Sequence, residues 1–329
     1  QHPSQQDHEP FYANDATLPI TTNREEPEWL TEKATEAGFS LSLVDLGGGD
    51  ITNRLLAEAS NPIADVVFGL NNVYFENLVA SEVLEEYTPS WSGDVDVSLG
   101  DGAVFWPIVR EPIMLVYNTE TYPDPASAPS DWPDLWTDPA FHGTYEVPSS
   151  LGGATTQMVL SGLLARFLDP SGDLGVSDEG WESIGRYFEY GVPSVETTDL
   201  YARMDAGEVS AGQMWLAGKV TREEQYGVAT EAAHPEIGVP MAVQHVAQVA
   251  GTPRAELAGE FIDWFGGAEL QAAWSQEFFT APTNSDALAD ADQDAVKQTE
   301  SFSAQDIDWT TVAENLNDWI EKIELDVLG

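Results

Sequence analysis

The chain has 329 residues, 57 of them Asp or Glu and 12 Lys or Arg, giving a formal net charge of −45, with 42 % hydrophobic residues and no cysteine. That length implies roughly two domains. The lack of thiols excludes disulfide scaffolds, cysteine–zinc sites and thiol catalysis, and so few cations cannot build the basic patch that nucleic acid demands. The acidic residues are scattered through both halves, as in the solvated shells of halophilic proteins that self-repulsion keeps soluble at high salt.

Residues 1–17 are polar and contain Pro and Gln, which predicts a flexible tether left after removal of an export signal, with the protein extracellular and held at the cell envelope. From residue 18 the pattern alternates. LPITT predicts a strand, PEWLTEKATEAG a helix, FSLSLVDL a strand, GDITNRLLAEAS a helix, ADVVFGL a strand and NNVYFENLVAS a helix. Such a β-α-β-α-β series forms a parallel sheet with helices on both faces, whose ligands sit at the carboxyl ends of the strands. Three loops therefore become candidates: Asn23-Arg24, the glycines around Gly48, and Asn71-Asn72.

FWPIVREPIMLVYN, residues 105–118, reads as two apolar strand runs interrupted at Arg110-Glu111, with Pro107 and Pro112 at strand ends. A lone buried arginine costs several kcal/mol unless paired, so Arg110 is either an internal ion pair or the counter-ion of a ligand. Alternation directs Arg110 and Glu111 to opposite faces, which disfavours a pair between them. GTYEVPSS then predicts a strand running into the helix LGGATTQMVLSGLLARFL. SDEGWESIGRYFEY and TDLYARMDAGEV predict helices, and AGQMWL a strand before the helix AGKVTREEQ. PEIGVPMAVQHVAQVAG predicts two strands around Pro240, and three helices follow, the last near WTTVAENLNDWIEKIEL. The fold class expected is α/β in two lobes, residues 18–109 with 245–329 and residues 110–244. Hinge crossings fall near 107–113 and 238–246, and the C-terminal helices return to the first lobe.

These stretches, in this order, resemble the extracellular solute-binding proteins of ABC importers. The likeness is to the branch of iron(III)-, thiamine-, phosphonate- and polyamine-type binders. It rests on GGGDITNRLLAEASNPIADVVFGLNN, on PIVREPIMLVYNTETYPDPASAPSDWPDLWTDPAFHGTYEVPSS, on the segment from Pro235 to Asn284, and on the last helix. The resemblance implies a type II periplasmic-binding-protein fold, a small-molecule solute in an interlobe cleft, hinge closure, and delivery to a membrane permease. Iron(III) binders of this branch carry adjacent tyrosines, whereas QMWLAGKVTREEQYGV holds Tyr226 alone. Thiamine binders place an Asp where this chain has Asn71.

Ser149, Ser150, Gly153 and Thr155 lie between a strand and a helix start, where amide N–H groups and hydroxyls favour an anionic group. Trp215 offers a flat wall, one of Phe278 and Phe279 a cleft contact, and His245 a polar group near the second crossing. The leading solute is an anionic organic molecule such as a phosphonate or carboxylate, held by the Ser149–Thr155 helix start and Arg110. The alternatives are a thiamine- or polyamine-type cation, iron(III), or a hydrolase working through a carboxylate pair. No G-x-S-x-G, H-E-x-x-H or Ser-x-x-Lys motif supports an enzyme, no cofactor motif is present, and a monomer is expected.

Overall fold

In the computed structural model the described residues are 10–13, 26–45 and 48–329. The chain begins with β1 (Pro10–Ala13), α1 (Glu26–Glu36), β2 (Ser42–Asp45), α2 (Gly48–Ala57), β3 (Val66–Phe68), α3 (Asn72–Ala80), β4 (Leu84–Glu85) and β5 (Phe105–Asn118). It continues through α4 (Asp134–Thr137), β6 (Glu146–Val147), α5 (Ala154–Ala165), β7 (Leu168–Asp173), α6 (Asp178–Tyr190), β8 (Val192–Pro193), α7 (Leu200–Asp205), β9 (Ala211–Trp215), α8 (Leu216–Tyr226) and β10 (Thr230–Ala232). It ends with β11 (Met241–Val249), α9 (Ala255–Phe265), α10 (Ala268–Phe278), β12 (Ala281–Pro282), α11 (Gln293–Glu300) and α12 (Trp309–Asp326). Two compact units result: residues 1–110 with 243–296, and residues 111–242 with 297–329.

In the first unit β1 lies between β2 and β3, parallel to both, with Phe11 opposite Leu43 and Tyr12 opposite Val67. β11 runs antiparallel beside β3 with Val246 opposite Phe68, and β12 pairs antiparallel with β5, Ala281 opposite Arg110. The apolar faces of α2 and α3 supply Ile51, Leu55, Phe75 and Leu78 to a core shared with Val67 and Ala247. On α9, Phe261 and Phe265 recur at helical spacing, stack at 5.5 Å and meet Phe39 and Phe68. Strand β1 corrects the expected tether. Its apolar triplet is too short to read as a strand by itself, yet it gains a ladder on both sides. The expected LPITT strand lies outside the described residues.

In the second unit β5 pairs antiparallel with β9, Ile113 opposite Trp215, and with β10, Thr230 opposite Asn118. β6 pairs parallel with β8 and bridges β9 between Tyr145 and Ala211. The last helix also departs from expectation. The stripe Val312, Leu316, Trp319 and Ile323 on α12 is buried in this unit, where Trp319 donates to the Leu174 carbonyl at 2.8 Å and Lys322 meets Asp173 at 3.1 Å. Periodicity declares that a face must be covered but not what covers it.

β5 is one strand of 14 residues, not two runs. Its ladder to β12 uses Val109 and Arg110 and that to β9 starts at Ile113, so Pro112, which has no N–H, falls between them. Likewise β11 begins directly after Pro240 and continues unbroken to Val249.

Candidate functional site

In the first unit the carboxyl ends of the parallel strands define one edge. Beyond Phe68 the chain turns at Gly69 (φ +86°) and enters α3, capped by Asn71. The Asn71 side-chain oxygen accepts from Val73 N–H at 3.1 Å, and that of Asn72 accepts from Val243 N–H at 3.1 Å. Both side chains are buried. Through these oxygens they fasten α3 and β11 at this edge. Asn23 and Arg24 lie outside the described residues, and Gly48 is the first residue of α2.

Arg110 reaches the same edge. The hydrogen bond from Ile113 N–H to the Pro240 carbonyl, 2.9 Å, registers β5 against β11 and brings Arg110 level with Val243. Arg110 is half-buried, and among the described residues its guanidinium has neither an ion pair nor a side-chain hydrogen bond. Asp96 feels it: hydrogen bonds from Ser98 hold that carboxyl below the usual range, and the Arg110 charge adds a smaller push in the same direction.

Opposite Arg110, Ala281 follows the turn at Phe279. Phe279 is half-buried and takes the left-handed conformation (φ 56°, ψ 51°), which costs about 1–3 kcal/mol in a bulky residue. Ser275 holds the turn, accepting Phe279 N–H at 2.9 Å through its carbonyl and donating its hydroxyl to the Thr280 carbonyl at 2.6 Å. Phe278 packs inside against Trp274, ring centroids 4.8 Å apart.

His245 differs from its expected role. It is fully buried, edge-on to Phe75 and Phe105, and its Nε2 bonds the Leu99 carbonyl at 2.6 Å. A carbonyl only accepts, so the proton sits on Nε2. Burial lowers the imidazole pKa to about 4 and keeps the ring neutral. It is a core residue of the first unit and presents nothing to a solute.

The second unit has a corresponding edge. Beyond Val147, exposed Ser149 turns to Ser194, whose hydroxyl its N–H and hydroxyl meet at 3.0 and 2.9 Å. Ser150 is exposed and Thr155 half-buried, while Gly153 caps α5 in an extended conformation with no side-chain hydrogen bond. The neighbouring Thr156 hydroxyl accepts from Gln213 at 2.7 Å. Trp215 ends β9 at this edge, half-buried, with the Arg222 guanidinium 4.7 Å from its ring centroid. Arg222 is itself fixed by Asp199 at 2.7 Å. A Cβ on Gly218 would come within 2.6 Å of the indole Cε2. Gly218→Ala should therefore displace the indole and cost about 1–3 kcal/mol, measured by urea unfolding together with a change in tryptophan emission.

Ser194 and Glu111 also belong to this edge; from the sequence Ser194 was passed over and Glu111 was weighed only as a partner for Arg110. Ser194 had no local signal. For Glu111 the signal was weak: Trp215, which precedes α8, has no side-chain acceptor for the first helical amides, so a cap from another element was possible.

The family model described as bacterial extracellular solute-binding protein matches residues 29–304. A periplasmic-binding protein of an ABC transporter from Sinorhizobium fredii is 33 % identical over 322 residues, covering 97 % of this chain and 88 % of that one. A periplasmic protein of Salmonella typhimurium named for 2-aminoethylphosphonate binding is 26 % identical over 263 residues, covering 77 % and 72 %. The ferric binding protein from Campylobacter jejuni superposes with a TM-score of 0.77 at 16 % identity, covering 96 % of this chain and 99 % of that one, which is a likeness of fold.

Proposed function

Because the chain belongs to the bacterial extracellular solute-binding protein family, the substrate-binding components of ABC transporters, we propose that it captures a small anionic organic solute, a phosphonate or carboxylate, with Arg110 as the anchor of the anionic group. One observation carries this reading: among the described residues Arg110 is kept unpaired, in a chain rich in acids. Of the 12 cations, Arg24 lies outside the described residues. Lys33, Arg54, Arg166, Arg203, Lys219, Arg222, Arg254 and Lys322 all form ion pairs. Among the other three, Lys297 is exposed, and Arg186 lines a groove of about 970 Å³ whose neighbours Glu182, Glu189 and Asp326 make it net acidic. Arg110 alone combines partial burial with a strand-end edge. A half-buried arginine with no carboxylate partner among the described residues is matched by a phosphonate or carboxylate, which it can bind through two parallel N–H···O bonds.

The second unit, taken by itself, also carries donors suited to an anion. The first turn of α5 carries no acidic side chain and no side-chain cap, so its N–H groups favour an anion by about 0.3–1 kcal/mol. Trp215 offers an aromatic face to the body of the solute. The name of the Salmonella relative points to the same chemistry, since 2-aminoethylphosphonate pairs a phosphonate with an ammonium. The protein would work exported, tethered outside the cell membrane, and hand its solute to a permease. Among the described residues no helix is long and apolar enough to cross a membrane.

A thermal-shift series in high salt tests this with 2-aminoethylphosphonate, malonate, thiamine and spermidine. A true solute at a hundredfold excess over Kd stabilises by about 2.7 kcal/mol. Shifts with thiamine or spermidine alone would reject the anionic assignment, and consumption of a probe would reject a purely binding role.

A further inference from the structure

Helix α8 begins at Leu216, so Trp215 occupies the N-cap position, where Ser, Thr, Asp or Asn would normally accept the first amide hydrogens. Trp215 accepts none. The acceptor comes instead from β5: Glu111 Oε1 lies 3.1 Å from Ala217 N, and the Leu216 amide bonds the same carboxylate. Glu111 is 1 % exposed, two residues before Ile113, the cross-strand neighbour of Trp215. Its other oxygen, Oε2, has no partner.

This is an expensive way to cap a helix. A serine at 215 would do so locally, whereas the chain buries a carboxylate with one oxygen unsatisfied and keeps an indole at the cap. The cost makes sense when the indole itself is what position 215 must present. We infer that Glu111 is a positioning residue for the solute site, capping α8 from the neighbouring strand and thereby holding the Trp215 indole at the strand-end edge. Glu111 is too buried to touch the solute and acts through Trp215. The inference rests on Trp215 belonging to the solute site.

The coupling has a proton-dependent signature. Burial pushes the Glu111 carboxyl up to about 8, opposed only by the Ala217 and Leu216 amides. Among the described residues no charged side chain shifts it: Lys219 pairs with Glu223, Arg222 with Asp199, His245 of β11 bonds Leu99, and Glu231 of β10 lies across from Tyr117. Arg110 points to the opposite side of β5 by alternation. An ionised carboxylate makes hydrogen bonds roughly twice as strong as a neutral one, so the start of α8 is held more firmly as pH rises through this range.

The test uses the full chain and Glu111→Gln, with 2-aminoethylphosphonate as the binding probe and 5-fluorotryptophan as a reporter, position 215 being assigned with Trp215→Phe. The parent should bind about tenfold more tightly than Glu111→Gln at pH 9.5 and within about twofold of it at pH 6.5. Titration of the probe itself is common to both proteins and cancels. Without probe, the fluorine signal of residue 215 should titrate in the parent and stay flat in Glu111→Gln. Superimposable affinity profiles, or a residue-215 signal that is flat in the parent or titrates equally in the variant, would overturn the inference. A parent that binds no anionic probe sinks the solute reading instead, and the fluorine titration then decides the role of Glu111 alone. Should Glu111→Gln fail to fold, the parent's fluorine titration still decides, since a flat signal rejects the coupling.

Discussion

Replacing Arg110 by glutamine should weaken binding of 2-aminoethylphosphonate by about 30- to 100-fold while moving the melting temperature of the solute-free protein by less than about 2 °C. The two halves of this expectation have one origin. Among the described residues Arg110 has no ion pair or side-chain hydrogen bond to lose, so its removal costs the empty fold little. With a solute present, the same side chain contributes charge-assisted hydrogen bonds worth about 1.5–3 kcal/mol, and a bidentate pair falls in the upper part of that range. Calorimetry measures the first half and a thermal melt the second. A large loss of stability with unchanged affinity would make Arg110 a structural residue and remove the anionic anchor.

The second large effect concerns stability against pH. Glu111 has its folded pKa raised from 4.5 to about 8 by burial, so the native state binds this proton more tightly than the unfolded chain. Its contribution is fully present below about pH 4.5 and is lost as pH rises to about 8, at a slope of at most about 1.4 kcal/mol per pH unit. His245 works in the opposite sense. Burial lowers its pKa from 6.5 to about 4, so its contribution is present above 6.5 and is lost as pH falls towards 4. Between about 4.5 and 6.5 the two slopes oppose one another. From 6.5 to 8 only Glu111 remains, and stability should decline by roughly 2 kcal/mol at fixed high salt. Urea unfolding across this range should show the decline in the parent and a level curve in Glu111→Gln. A decline that persists in the variant would assign it to other groups.

Much of the fold was legible in the chain because helix and strand periods act locally. The helices at 72–80, 178–190, 255–265 and 309–326 lie where their apolar spacing predicts them, and the β-α alternation of residues 42–80 yields a parallel sheet. What failed was non-local. Pro10–Ala13 became a central strand because β2 and β3 supply both of its ladders, although its own sequence reads as part of a polar tail. Proline was read as a strand breaker at 107 and 112, yet β5 passes through both, since a missing N–H matters only where a partner strand requires it.

The candidate site divides in the same way. Arg110 attracted notice from the sequence because a charge inside an apolar run must be explained, and among the described residues it has no ion pair. His245 and Asn72 attracted notice for being polar near strand ends. Tertiary contacts absorbed both, His245 through the Leu99 carbonyl and Asn72 through the Val243 amide. Glu111 was judged only as a partner for Arg110. That its carboxylate meets an amide 106 residues away is a consequence of strand pairing between β5 and β9.

By itself, then, the sequence determined the α/β class, the position of most helices, the acidic composition and the presence of one arginine needing a counter-charge. These follow from composition and from periods of two and 3.6 residues. Only the tertiary structure decided which polar side chains are spent inside the protein and which remain available. It also decided that α12 belongs with the second unit and that the cap of α8 comes from another strand. Hydrogen bonds and burial depend on partners brought together by the fold, and distance along the chain carries no record of them.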